Sequence, residues 1–131
     1  MDAPEPAVFS TTVPARAEQL APLRRTLRGW LTSRRVPRPV RHDVVLAAHE
    51  AVSDAIDQGG ADRGTTVTLH LDHEVLVLTA VDHFTWTATA HPTQADRGLR
   101  VISRVAERVD LSVDDDRGSL TAYFAVRGDR R

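Results

Sequence analysis

Two carboxylates, Glu50 and Asp54, stand four positions apart in the run AAHEAVSDAI. On a helix this spacing stacks both side chains on one face, with Ala47 and Ala51 beside them. Like charges so placed repel by about 0.2–0.5 kcal/mol. A solvated acidic face tolerates that cost, and a site holding a cation or a reacting group makes use of it. His49-Glu50 also opens like the helix of a two-histidine zinc hydrolase, but Ser53 stands where the second His belongs. Of the six histidines, His42 and His49 fall on nearly the same helix face, two turns apart. His70, His73, His83 and His91 show no ligand spacing. A metal-dependent hydrolase stays open as a reading from a different class, and zinc bound to the purified protein would support it.

Missing residue types narrow the chemistry further. The sequence has no Cys, which removes disulfides, thiol nucleophiles and Cys-based zinc sites. All 17 basic residues are Arg. A chain without Lys cannot be a P-loop enzyme, a eukaryotic-type protein kinase or a pyridoxal enzyme, since each needs a Lys amine at its centre. The formal net charge of −1 provides no general attraction to nucleic acid or to an anionic membrane. Met1–Thr12 lacks the basic start and apolar run of a signal peptide, and no apolar stretch reaches bilayer length. The expectation is a cytoplasmic protein that binds neither nucleic acid nor membrane.

Positioning these side chains falls to a chain of 131 residues, the size of one domain. A single domain over 1–131 is expected, with 1–6 and 127–131 as flexible tails. Ala7–Val13 is rich in β-branched residues and reads as a strand closed by Pro14. Ala17 to Arg34 reads as an amphipathic helix with Leu20, Leu23, Leu27 and Trp30 or Leu31 as its stripe, and Pro22 in its first turn. Its polar side carries Arg24, Arg25, Arg28, Arg34 and Arg35, which reads either as a solvated face or as a docking surface for an acidic partner.

Two prolines in Val36–Val40 predict a break. A second helix is predicted from Arg41 to Gln58, ended by Gly59-Gly60, with Val45, Ala48, Val52 and Ile56 inward and Ala55 beside them. Thr65–Leu71 and Glu74–Val81 form a hairpin about Asp72-His73. Asp82 to Ala95 loses all periodicity and reads as a long loop, of the kind that is usually functional or mobile. A third helix follows over Arg97–Arg108, with Leu99, Ile102, Val105 and Ala106 inward. Val109–Val113 and Ser119–Val126 are strands joined by a turn at Asp114–Gly118. The fold class is an α+β two-layer sandwich, with helices on one face of a mixed, mostly antiparallel sheet.

This order of elements, with the segment DVVLAAHEAVSDAI (Asp43–Ile56), resembles the histidine-kinase-like ATPase superfamily. The branch it is most similar to is the small bacterial anti-sigma-factor serine kinases and related ATP-binding regulators. The likeness runs from VFSTTVPA (Val8–Ala15) through LRRTLRGWL (Leu23–Leu31) to RGLRVISRVAERVDL (Arg97–Leu111). The resemblance implies ATP and magnesium as ligands. It makes Glu50 the general base that orients or deprotonates an attacking hydroxyl. Asp54 stands where the family has a magnesium-binding Asn, and the chain contains no Asn at all. Asp is a competent oxygen ligand for magnesium, with extra negative charge beside a triphosphate. Asp82 in VDHFTW matches the acceptor of the adenine amino group, while Phe84 and Trp86 replace two glycines that let backbone approach the nucleotide. Gly98 in ADRGL matches part of a Gly-rich turn before the last helix, where free N–H groups attract phosphate and Asp96 opposes them. Gly118-Ser119 stands where a Gly-Thr pair opens the last strand. Gly118 equally fits a plain hairpin turn, and Gly98 a tight helix start.

The resemblance thus implies a bacterial regulator that works by protein–protein binding in a partner-switching system, with a divergent ATP site. Its partners would be a sigma factor or an anti-anti-sigma protein of the STAS type. Relatives often form homodimers, though no feature of this sequence demands one. The alternative is an active ATP- and magnesium-dependent serine kinase that phosphorylates an anti-anti-sigma protein.

Overall fold

The computed structural model describes residues 7–57, 64–82, 92–113 and 118–126, with backbone alone for 92–97 and 113. Strand β1 (Ala7–Val13) leads through a 3-10 turn at Ala17–Gln19 into helix α1 (Leu20–Ser33). Leu23, Leu27 and Leu31 recur at helical spacing and are all buried. Pro22 sits in the first turn, where its missing N–H costs nothing. The helix ends in a Schellman motif: Val36 N–H donates to the Leu31 carbonyl at 3.1 Å and Arg35 N–H to that of Thr32 at 3.0 Å. Arg35 takes the left-handed conformation this needs, with φ 62°.

Helix α2 (Arg38–Asp57) starts earlier than the prolines suggested, because Pro39 lies in its first turn rather than in a break. Its predicted stop at Gln58 and Gly59-Gly60 lies outside the described residues. The helix buries Val44, Val45, Ala47, Ala48, Ala51, Val52, Asp54 and Ala55, far more than one stripe. The reason is its place in the molecule: α2 packs on α1, on α3 and on strands β2, β3 and β5. Ala47 and Ala51, fully buried, let the neighbours come close.

Strands β2 (Thr65–Asp72) and β3 (Val75–Asp82) form a hairpin whose turn falls on His73 and Glu74, with His73 at φ 41°. Asp82 therefore ends a strand and does not open a loop. Helix α3 (Pro92–Val105) begins five residues before the predicted Arg97, with Pro in its first position, so part of the expected loop is helical. Arg108 belongs instead to β4 (Arg108–Val113), which pairs with β5 (Gly118–Ala125). Ile102 is buried, with Leu99, Val105 and Ala106 packed at the edge of the core.

The sheet has five strands in the order β1-β2-β3-β5-β4. Among the described residues every pairing is antiparallel, in keeping with the mostly antiparallel sheet expected. Strict alternation defines its covered face: Val67 and Leu69, then Leu76, Leu78 and Ala80, then Leu120, Ala122 and Phe124 are buried against the helices. The chain is an α+β two-layer sandwich of three helices on one side of an antiparallel sheet. Among the described residues, no helix is long and apolar enough to cross a membrane. The tails at 1–6 and 127–131 lie outside the described residues.

Candidate functional site

Three strands meet at one end of the sheet, and Asp82 closes the middle one. In register it faces Thr65 on β2 and Gly118 on β5. The Thr65 hydroxyl donates to Asp82 Oδ1 at 2.7 Å, and both residues are buried, Asp82 to 1% exposure. A carboxylate is not left in an apolar interior without donors, so this polar pair is a built feature of the fold. Chemically, such a group accepts from the N–H of a ligand seated at the strand ends. Asp82 and Gly118 lie on the helix-covered side, whereas strand alternation sends the half-buried Ser119 to the opposite face.

Asp54 lies farther along α2 and is only 8% exposed, so it is no part of a solvated acidic face. Its carboxyl group lies against Gly98 of α3. A Cβ placed on Gly98 would stand 2.6 Å from Asp54 Cγ and 2.9 Å from Oδ1, closer than real side chains approach. Glycine at position 98 is therefore what lets the carboxyl group sit between the two helices. Gly98 is also well inside α3 and not at its N-terminus, because the helix begins at Pro92. Its N–H belongs to the helix ladder, where i−4 carbonyls take it.

Glu50, one turn before Asp54, is half-buried and has different neighbours. It lines a groove between α1 and α2 of about 650 Å³, together with Arg24, Arg28, Arg38 and Arg41. His49 is in the same groove and accepts from the Arg24 guanidinium through Nδ1 at 3.0 Å. The two carboxylates that share a helix face in the sequence are thus divided, one toward α1 and the other toward α3. Of the predicted arginine face, Arg24 and Arg28 line the groove, while Arg25, Arg34 and Arg35 do not. Arg38 and Arg41 were not singled out as functional from the sequence, whereas the His42–His49 pair was noted there and lies in this groove. The signal for the two arginines was the helical recurrence of Arg38, Arg41, Val45 and His49, hidden by the supposed break at Pro39. Phe84 and Trp86 lie outside the described residues, as does the side chain of Asp96.

The donor chemistry fits the two ends of a magnesium nucleotide differently. At the strand ends, the buried Asp82 is a suitable acceptor for an exocyclic amino group. Toward the phosphates, Asp54 has the hard oxygens magnesium prefers, but its carboxyl group is already packed on Gly98. Among the described residues, no three His, Asp or Glu side chains converge on one point. Magnesium here would complete its shell with water and phosphate oxygens, as it commonly does.

Residues 13–124 match the family described as the histidine kinase-like ATPase domain. No curated protein sequence matches the chain. Among solved structures, the chain superimposes on the RsbU and RsbW domains of a Mycobacterium tuberculosis protein with a TM-score of 0.77 at 19% identity. That match covers 95% of this chain and 34% of the other, so the chain spans about a third of that relative's length. The SiaB-SiaC complex of Pseudomonas aeruginosa contains a similar chain, with a TM-score of 0.67, 14% identity and 88% of each chain covered. At these identities the likeness speaks for the fold.

Proposed function

The chain belongs to the histidine kinase-like ATPase domain family, and from that premise we propose that it is a bacterial regulator that works in the cytoplasm by partner switching. It acts by protein–protein binding to a sigma factor or to an anti-anti-sigma protein of the STAS type. Its nucleotide site is divergent, and regulation does not depend on phosphoryl transfer. One observation carries this reading: the carboxyl group at the metal-ligand position, Asp54, is packed between helices on Gly98. To hold a magnesium ion, Asp54 would have to give up that contact. The two similar folds, one from an RsbW domain and one from a SiaB-SiaC complex, support a partner-switching role.

Calorimetric titration of ATP and ADP with and without magnesium tests the divergent site. The expected result is no detectable heat up to about millimolar ATP, equivalent to less than about 4 kcal/mol of binding, with an unshifted melting temperature. Magnesium-dependent binding at micromolar levels would refute it. Co-purification with candidate STAS domains then tests the partner reading, and no complex with any of them would count against it.

A second reading keeps the kinase activity, and the buried Asp82–Thr65 pair supports it, since a carboxylate stands where the family's adenine acceptor is expected. Here Glu50 takes the proton of the partner's serine hydroxyl as its oxygen attacks the γ-phosphorus, and ADP leaves. Asp82→Asn separates the two. Joint loss of nucleotide binding and partner regulation supports the kinase, and unchanged regulation supports the binding module.

A further inference from the structure

The α1–α2 groove concentrates positive charge in a protein whose net charge is −1. Helix α1 supplies Arg24 and Arg28, one turn apart, and α2 supplies Arg38, Arg41, His42 and His49. Among the described residues, Glu50 is the one acid in the lining, and Val45 and Leu46 form an apolar floor. Two of the guanidiniums are held in place: Arg24 donates to His49 Nδ1 and Arg41 to the Val36 carbonyl, each at 3.0 Å. Because Arg only donates, His49 Nδ1 is the acceptor, and a neutral ring carries its proton on Nε2 as a further donor. The ion pairs formed among the described residues lie elsewhere, at Asp72–His73 and Arg108–Asp110. The groove guanidiniums therefore face one another without a matching set of carboxylates. No acid occupies the first turn of α2, so its positive N-terminal end adds to the same field.

We propose that this groove is a binding site for a small polyanion with clustered phosphate groups. The choice of ligand rests on charge density. The 650 Å³ volume is that of a small-molecule pocket, about 9 Å across. An extended acidic peptide places successive same-face carboxylates about 6.6 Å apart, so only about two fit within that span. A chain of linked phosphates puts more charge into the same space, and planar guanidiniums engage phosphate oxygens in pairs. Asp82 at the strand ends does not line the groove, so the Asp82→Asn variant separates the groove from the adenine end of a nucleotide site.

The test uses inorganic tripolyphosphate as the probe, titrated calorimetrically into the full chain at low salt. The expected result is one ion bound per chain, at least about tenfold more tightly than orthophosphate. Arg28→Ala and Arg38→Ala, both at exposed positions where folding is not at stake, should each weaken it by about tenfold or more. Asp82→Asn should leave it unchanged. Absence of binding, or binding that survives the double arginine variant, would overturn the proposal. Loss in Asp82→Asn would overturn it by assigning the phosphates to the nucleotide site. Tighter binding of a glutamate-rich peptide than of tripolyphosphate would also overturn it, in favour of an acidic protein segment. None of these outcomes bears on whether a STAS domain co-purifies, so this proposal and the regulatory one fail separately.

Discussion

Gly98→Ala is the substitution with the most to say about how α2 and α3 hold together. In an ordinary helix interior it would stabilise by about 1 kcal/mol, because Ala forms helix better than Gly. Here the added Cβ meets the Asp54 carboxyl group, 2.6 Å from Cγ. Overpacking of this kind costs about 1–3 kcal/mol. Displacing a carboxylate that is only 8% exposed from its interactions costs about 1–3 kcal/mol more. The net expectation, after the helix-propensity gain, is destabilisation by about 1–5 kcal/mol. In an Asp54→Ala background the obstruction is gone, and the same change should be neutral or stabilising by up to about 1 kcal/mol. Urea unfolding of the four proteins in this cycle should give a coupling of about 1–6 kcal/mol, the single-variant cost less the small effect in the Asp54→Ala background. Additivity within about 0.5 kcal/mol, or a stabilised single variant, would refute the view that Gly98 exists to seat Asp54.

Other substitutions probe neighbouring features. Arg35 sits at φ 62°, so Arg35→Gly should stabilise by about 1 kcal/mol, read as a higher melting temperature. Gly64, at φ 77°, would bring a Cβ within 3.2 Å of the Val13 carbonyl carbon. Gly64→Ala should therefore lower stability by about 1–3 kcal/mol in chemical denaturation. Thr65→Val removes the donor to Asp82 Oδ1 at nearly constant shape, and should cost about 1–3 kcal/mol. Leu27→Ala, in the fully buried stripe of α1, should cost about 2–5 kcal/mol with the denaturant slope unchanged.

Local periodicity was enough to find nearly every element. Leu23, Leu27 and Leu31 announce one face of α1, and the alternation of Val67, Leu69 and the β3 leucines announces strands with one covered side. The resemblance to a family pattern, not periodicity, marked Asp54, Asp82 and Gly98 as residues of interest. Periodicity compares a face with solvent, however, and cannot say which element covers it. Helix α2 read as one apolar stripe because its alanines carry little hydrophobic signal, yet those alanines are buried between two other helices. Proline punctuation misplaced the starts of α2 and α3, since a Pro in a first turn and a Pro that breaks a helix look alike without their neighbours. The site depended still more on tertiary structure. Thr65 reaches Asp82 only because β2 and β3 pair in that register. Asp54 meets Gly98, and Arg24 meets His49, across helices brought together by core packing. The sequence by itself determined which segments are helix and strand, because that choice is made within a few residues. Only the tertiary structure decided which charges share a cavity, because that depends on long-range packing that no local spacing encodes.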